Sequence, residues 1–155
     1  MTPAPARTPQ LRLARASDAE ACAALVRALS PAFYAHPDGR DTEPFLASIA
    51  AERQAHYIAG YRYWVAEVDR ALVGLAAARP PQHVFHLFVD AAWQGQGLGS
   101  RLMQALVYGF DPAQAATVNA SLAAQAFYAC WGFEPDGPAQ CQHGVRYQPM
   151  RRPAT

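Results

Sequence analysis

The sequence contains no lysine, so all 13 basic side chains in its 155 residues are arginines. A nucleotide-binding loop of the Walker type needs its lysine, and that class of site is therefore excluded. Twelve acidic residues bring the formal net charge to only +1. This balance gives no reason to expect a nucleic acid or a membrane surface as a partner.

Cysteines and long apolar runs are also scarce. The odd number and wide spacing of Cys22, Cys130 and Cys141 match neither a disulfide framework nor a Cys-x-x-Cys metal site. The longest apolar run begins at Ala71 and is far shorter than the roughly 20 residues of a membrane helix. The N-terminus lacks the apolar core of a signal peptide. We therefore expect a cytoplasmic protein, and no metal, because no histidine pair has recognisable ligand spacing.

The patterning that is present predicts one domain over residues 1–155, with loose tails at about 1–10 and 151–155. Periodicity and turn signals predict strands at 11–13, 61–68, 71–78, 83–89, 115–119 and 145–150, and helices at 17–29, 44–59, 98–108 and 121–131. A capping box at 17–20 and a cap at Ser121 would start two of these helices. The order β-α-α-β-β-β-α-β-α-β predicts an α/β sandwich (α+β) around one sheet.

A glycine-rich turn follows the strand that ends at Val89. Gly95, Gly97 and Gly99 alternate there, and an amphipathic helix begins at Leu98. Glycines let the backbone approach a ligand, and the first turn of a helix offers unpaired N–H groups with a positive dipole end. The turn therefore predicts an anion site, most simply for a pyrophosphate. Its spacing fits neither the dinucleotide nor the nucleotide triphosphate fingerprint.

Two segments together resemble the GNAT superfamily of acyl-CoA-dependent N-acetyltransferases. The sequence QGQGLG at 94–99 resembles its motif A, [QR]-x-x-G-x-[GA], and FYACWGF at 127–133 resembles F-Y-x-x-x-G-F of its motif B. The preceding V-N-A-S at 118–121 resembles a bacterial subgroup. The resemblance implies a single mixed, mostly antiparallel sheet with helices on both faces. It also implies two splayed strands, ending at Val89 and near Asn119, with the pantetheine arm of acetyl-CoA between them.

The cofactor-binding residues implied by this resemblance lie on the fourth strand, the glycine turn and motif B. They are Leu87, Phe88, Val89, Gln94, Gly95, Gln96, Gly97, Leu98, Gly99, Ser100, Asn119 and Tyr128. Many family members have Arg or Lys where this chain has Gln96. The pyrophosphate cradle formed by the turn at 94–99 would therefore depend on backbone dipoles. Arg101 is either a distant helper or a solvated helix residue. Tyr128 would protonate the departing thiolate of coenzyme A, or else would merely pack beside its aromatic neighbours.

The acceptor would be a primary amine of a small molecule or a peptide. His86 is the leading candidate for the base that deprotonates it, and the alternative is a half-buried structural histidine; His83 and His36 are weaker candidates. The loops at 30–43 and 134–144 would line the acceptor pocket. Five residues of the first loop would form a site for a cation, or are simply solvated. They are Phe33, Tyr34, Asp38, Asp41 and Glu43.

Other interpretations stay open at this point. The chain could be an acyl-CoA-binding sensor or regulatory module without turnover, as the neutral Gln96 and the uncertain base allow. An unrelated phosphate-binding enzyme would leave 117–133 unexplained. Homodimers are common in the family that the chain resembles, but the sequence selects no interface.

Overall fold

The computed structural model describes residues 7–155, which form one open sheet covered by helices on both faces. The strands are β1 (Gln10–Leu13), β2 (Arg62–Val68), β3 (Ala71–Arg79), β4 (His83–Val89), β5 (Ala116–Ala120), β6 (Glu134–Pro135), β7 (Gln140–Gln142) and β8 (Val145–Arg152). The helices are α1 (Ala19–Leu29), α2 (Glu43–Ser48), α3 (Ala51–Gly60), α4 (Leu98–Tyr108) and α5 (Gln125–Ala129). The sheet order is β1-β2-β3-β4-β5-β8-β6, with β7 also on β8, and among the described residues only β4 and β5 pair in parallel.

Alternating side chains of the central strands fill two separate cores. On β2, Tyr63 and Val65 face α1 and α3, whereas Trp64 and Ala66 face α4. Leu102 of α4 is fully buried against the second of these faces. This period of two is what a sheet buried on both sides requires. The predicted sandwich around a single, mostly antiparallel sheet is confirmed.

The helix predicted over residues 44–59 is in fact two helices, α2 and α3. Ala50 is extended (φ −62°, ψ 161°) and separates them. The Ser48 hydroxyl donates to the Phe45 carbonyl, and the Gln54 side-chain amide donates to the Ile49 carbonyl. These local hydrogen bonds satisfy backbone groups that a continuous helix would have paired itself.

The predicted tails at 1–10 and 151–155 are too long. Gln10 pairs with Glu67, and Arg151 and Arg152 pair with β5, so these residues extend β1 and β8. Their polar side chains belong to edge or solvent-facing strand positions, which have no apolar alternation to mark them. Residues 1–6 of the predicted leader lie outside the described residues. The very short β6 and β7 were missed for the same lack of pattern.

The two predicted serine caps are wrong. A 3-10 turn over Ala16–Asp18 precedes α1, and the Asp18 carboxylate, rather than Ser17, accepts a hydrogen bond from the Arg15 N–H at 2.7 Å. Another 3-10 turn precedes α5, and the Ser121 side chain makes no capping hydrogen bond. In both places the 3-10 turn moves the N-cap position of the following α-helix to a later residue.

Arg12 of β1 joins Asp18, in the turn before α1, to Glu67 of β2. The Arg12 guanidinium donates to both Asp18 oxygens, at 2.8 and 2.9 Å, and to Glu67 at 2.7 Å. The Asp18 side chain is only 11% exposed. Hydrogen bonding from Arg12 holds the pKa of Asp18 below its ordinary value of 3.8.

We expect Asp18→Asn to lower the free energy of unfolding at pH 7 by about 2 kcal/mol, because charge-assisted hydrogen bonds are lost in a partly buried site. The depressed pKa means that the carboxylate stabilises the fold above about pH 4. That stabilisation falls as the pH drops from there through the folded-state pKa. Urea unfolding should therefore show the wild-type advantage at pH 7 and a narrower gap at pH 3. Asp69→Asn, at a largely exposed pair with Arg7, is the control and should change little.

Candidate functional site

The sheet opens between β4 and β5, which pair in parallel. β4 and β5 pair at His83 with Thr117 and at Val84 with Val118, and no further. β4 continues to Val89 while its other edge stays paired with β3. The predicted splay is confirmed, and within residues 7–155 one edge of β4 beyond Val84 has no partner strand.

A β-bulge decides which backbone groups face this opening. The register between β3 and β4 shifts at Phe85, so that Ala77 pairs with His86 whereas Ala78 pairs with Val84. The Asp90 N–H donates to the Val73 carbonyl, which places Phe88 in a hydrogen-bonded pair with Leu75. In an antiparallel ladder the residues between such pairs direct their N–H and C=O groups to the opposite side.

Leu87 and Val89 are therefore the residues whose backbone groups face the opening. Phe88 differs from the prediction that grouped it with them, because its backbone is directed toward β3. Its side chain instead packs on the α1–α3 face, with its ring centroid 5.7 Å from that of Phe33. The bulge thus leaves two of the three predicted strand residues with their backbone groups directed at the opening.

A cleft of about 410 Å³ fills the opening, a volume typical of small-molecule sites. Its walls come from β4, β5, α2, α5 and the turn between β7 and β8. The lining residues that bear on the chemistry below are Phe33, Phe45, Asn119, Tyr128, His143 and Arg146. The cleft therefore brings motif B and the fourth strand together.

The glycine turn lies just beyond the end of β4. Gly95 and Gly97 have φ values of 75° and 83°, and a Cβ built on either would meet no atom within 4 Å. The first helical bond of α4 runs from the Arg101 N–H to the Gly97 carbonyl. The amides of Leu98, Gly99 and Ser100 before it have no acceptor within residues 7–155. The turn is thus an open backbone surface with unpaired donors.

Two glutamine side chains fasten this turn to the strand. The Gln94 amide donates to the Val89 carbonyl at 2.9 Å, and the Gln96 amide donates to the Ala92 carbonyl at 3.2 Å. These glutamines were predicted to contact the cofactor, and the structure shows them holding the loop. Arg101 donates to the Pro9 carbonyl and, with Gln96, borders a second cavity of about 260 Å³.

Tyr128 enters the cleft from α5. It is 5% exposed, and its ring packs edge-to-face on Phe127 and Phe133, at 5.2 and 5.8 Å between centroids. Its hydroxyl has no hydrogen-bond partner in the described part of the chain. Burial raises the pKa of Tyr128 above that of an ordinary phenol. The side chain therefore presents a protonated hydroxyl to the cleft at neutral pH.

Asn119 stands opposite β4 on the other wall of the cleft. It pairs with Pro149, which has no N–H to donate to the ladder. Asn119 is exposed and lines the cleft. Its amide adds a donor and an acceptor to a wall that is otherwise largely apolar.

His86 lies in a buried hydrogen-bond network. Its Nδ1 is 3.0 Å from the Phe85 carbonyl, and its Nε2 is 3.3 Å from the Gln54 amide nitrogen. Gln54 also accepts from the Tyr63 hydroxyl at 2.7 Å. These partners assign the proton to Nδ1 and engage both ring nitrogens. Burial lowers the pKa of His86 to about 4, so the imidazole is neutral at pH 7.

The two histidines predicted as weaker base candidates lie outside the cleft, whereas a third, in the loop at 134–144 that was predicted to line the acceptor pocket, lies on its wall. His83 lies beside Thr117, with its pKa lowered to about 4 by burial, and His36 lies beside Arg40. His143, by contrast, lines the cleft from the turn between β7 and β8. Its φ of 51° marks a tight hairpin turn with Gly144, a local signal that the sequence offered.

The acceptor side of the cleft differs from the predicted cation site. Phe33 lines it, but Tyr34, Asp38, Asp41 and Glu43 do not. Asp38 accepts a hydrogen bond from the Arg40 N–H within its own exposed loop. No Asp or Glu lines the cleft among residues 7–155. The prediction of an acidic pocket in this loop is therefore wrong.

Residues 7–155 contain neither a metal-binding cluster nor a membrane-spanning helix. No group of three or more His, Cys, Asp and Glu side chains is placed to hold a metal ion. None of the helices combines the length and apolar character needed to cross a bilayer.

Solved structures with this fold come from several organisms. A GCN5-related N-acetyltransferase from Rhodopseudomonas palustris is 24% identical, with a TM-score of 0.75 over 94% of this chain and 96% of that one. The PaiA N-acetyltransferase from Thermoplasma acidophilum, solved with coenzyme A, is 13% identical, with a TM-score of 0.72 over 94% and 99%. N-acetylglutamate synthase from Neisseria gonorrhoeae, solved with coenzyme A and N-acetyl-glutamate, is 18% identical, with a TM-score of 0.68 over 96% of this chain but 35% of that one.

Sequence comparison gives the family itself. No curated protein sequence matches the chain significantly. A family model described as an acetyltransferase (GNAT) domain matches residues 24–153, which include both the glycine turn and Tyr128. The protein therefore belongs to the GNAT family of acetyltransferases.

Proposed function

We propose that the protein transfers an acetyl group from acetyl-CoA to a primary amine by direct attack. The observation that carries this proposal is the edge of β4 that has no partner strand within residues 7–155: Leu87 on this edge shares one cleft with the hydroxyl of Tyr128, which has no partner there either, and Val89 continues the edge toward the glycine turn. A backbone edge binds an extended amide chain as an added strand would, and pantetheine is such a chain. A protonated hydroxyl in the same cleft can give its proton to a leaving group.

The residues present also fit the charged part of coenzyme A. The open Cβ positions of Gly95 and Gly97 leave room for a pyrophosphate against the backbone. The amides of Leu98, Gly99 and Ser100 point out of the start of an 11-residue helix, where the dipole favours an anion. Gln94 and Gln96 hold the loop in that shape by their hydrogen bonds to carbonyls of the preceding segment. The cradle therefore needs no basic side chain at position 96.

Acetyl-CoA supplies a thioester whose acetyl carbon bonds to the amine nitrogen while the C–S bond breaks and its electron pair leaves on sulfur. Tyr128 gives its hydroxyl proton to that sulfur and regains a proton from the acylated nitrogen, so one proton passes from amine to thiol overall. The N–H groups of Leu87 and Val89 are available to orient the pantetheine amides and to polarise the thioester carbonyl. No cysteine takes part in this scheme.

Deprotonation of the amine needs no charged base in this cleft. Its walls are largely apolar and, among residues 7–155, carry no carboxylate that would stabilise an ammonium ion. Desolvation therefore favours the neutral, nucleophilic form of an amine. His86 remains a candidate as a proton acceptor, but its engaged nitrogens and its burial favour a positioning role at the β4 bulge.

We expect His86→Phe to separate these two roles. It keeps an aromatic ring but removes the hydrogen bond to Gln54, so kcat should fall only a few-fold, and the pH dependence of kcat/KM should keep its wild-type shape. Gln54→Leu should give the same pattern, because it breaks the same network without touching the imidazole. A loss of about 100-fold together with a vanished acidic limb, for His86→Phe alone, would identify a general base.

The acid sensitivity of the fold provides a second readout of the His86 environment. Burial lowers the pKa of His86 from its ordinary value of 6.5 to about 4 in the folded protein. Between pH 6.5 and 4 the unfolded chain therefore binds a proton at this histidine, whereas the folded chain does not. The free energy of unfolding consequently decreases as the pH falls from 6.5 to 4. Nuclear magnetic resonance should show the His86 ring neutral from pH 8 to 5.

The proposed function is tested by separating binding from turnover. Thermal-shift titrations should show stabilisation by acetyl-CoA and little by ATP, followed by release of free thiol when amines are added. Binding without release for any amine would indicate an acyl-CoA sensor. Equal stabilisation by simple nucleotides would indicate an unrelated phosphate site. Cytoplasmic location and homodimer formation remain predictions.

A further inference from the structure

We propose that the acceptor is a carboxylate-bearing amine with a large apolar body, of the type of an apolar α-amino acid, held by Arg146. This inference deepens the proposed function and depends on it for the amine. Among residues 7–155 the cleft walls include one arginine and no Asp or Glu, so a polycation such as a polyamine finds no counter-charge.

The apolar body of the acceptor has an aromatic wall to pack against. Phe33 follows α1, Phe45 belongs to α2, and Phe85 and Phe88 belong to β4, and all four line the same cleft. Phe33 and Phe88 contact each other at 5.7 Å between ring centroids. Such surfaces favour an aromatic or branched aliphatic group. A short, strongly hydrated amine would gain little from them.

Arg146 is available to bind an anion at the mouth of this cleft. Within residues 7–155 it has no carboxylate within ion-pair distance, and its one hydrogen bond, to the Ala35 carbonyl, is long at 3.4 Å. The guanidinium therefore keeps donors for a planar carboxylate, which it matches in two parallel hydrogen bonds. A single arginine suits a monoanion better than a phosphate dianion, which needs more donors.

The start of β8, which carries Arg146, is held against the segment that follows Phe33. The Ala35 N–H donates to the Gly144 carbonyl at 2.8 Å, and Tyr34 forms an isolated bridge with Val145. A Cβ on Gly144 would stand 2.9 Å from the Asp41 backbone. These contacts fix the backbone at Arg146 relative to the segment that follows Phe33, so the arginine is presented to the cleft from a supported position.

The test compares matched amines with matched variants. For the wild type we expect kcat/KM for L-phenylalanine to exceed that for phenethylamine by about tenfold or more, and spermidine to be poorest. Arg146→Gln should remove the advantage of L-phenylalanine and leave phenethylamine within about twofold. Arg151→Gln, an exposed arginine on the same strand but outside the cleft, should leave both unchanged.

Binding measurements keep this inference separate from the proposed function. Calorimetry with N-acetyl-L-phenylalanine and N-acetylphenethylamine needs no turnover, and the carboxylate should tighten binding only when Arg146 is present. If no amine is acetylated but this difference persists, the proposed function fails and the ligand class stands. Preference for spermidine, indifference to Arg146→Gln, or no binding of the carboxylated ligand would overturn the inference.

Discussion

Replacing Tyr128 by phenylalanine is expected to lower kcat by about 100-fold or more while leaving acetyl-CoA affinity within about twofold. The change removes only a hydroxyl that has no protein partner in the described chain, so it opens no unsatisfied polar group. The ring contacts with Phe127 and Phe133 are kept. The loss therefore reports on the proton that the leaving thiolate receives.

The measurement is steady-state thiol release together with calorimetry of acetyl-CoA binding. Tyr108→Phe is the matched control, because Tyr108 is 92% exposed at the end of α4 and lines neither cavity. It should leave kcat unchanged. Equal kcat for Tyr128→Phe and the wild type would remove Tyr128 from the chemistry.

The second large effect is expected at the glycine turn. Gly97→Ala and Gly97→Val should weaken acetyl-CoA binding about tenfold and about 100-fold, because the side chain would stand where the pyrophosphate approaches the backbone. Each substitution also strains a backbone with φ 83°. Such strain alone costs about 1–3 kcal/mol of stability.

A second glycine separates the strain from the lost binding. Gly137 has φ 85°, equally open space around its Cβ position, and no place in the cleft. Gly137→Ala and Gly137→Val should lose similar stability in urea unfolding but bind acetyl-CoA as the wild type does. Weak binding by both sets would mean that general destabilisation, and not the cradle, explains the effect.

The sequence predicts the scaffold of this site better than its fine geometry. Gly95 and Gly97 carry a conformational signal of their own, and the strand before them and the helix after them are strongly periodic. The splay of β4 and β5 followed from the family resemblance. The sequence could not predict which backbone groups of β4 face the opening. The bulge at Phe85 decides this, and it depends on pairing with β3 and leaves no local pattern.

The environment of His86 and the full lining of the acceptor pocket could not be predicted, because both depend on contacts between residues far apart in the sequence. His86 could be placed on the fourth strand, but Gln54 lies 32 positions away and only the folded sheet brings the two together. The family resemblance places the loops at 30–43 and 134–144 at the acceptor pocket, and Phe33 and His143 of these loops do line the cleft. The acids of the first loop do not, and Arg146 lies beyond the second loop, where only the packing of the β7–β8 turn onto Ala35 brings it to that wall.

The central claim is most directly tested by one mass-spectrometric assay. The protein is incubated with acetyl-CoA and L-phenylalanine, and free coenzyme A and N-acetylated amine are quantified over time for the wild type and Tyr128→Phe. We predict equal amounts of the two products from the wild type, formed about 100-fold faster than by the variant. Thiol release without acetylated amine, across this and the other amines tested, or no release by folded protein that binds acetyl-CoA, would contradict it.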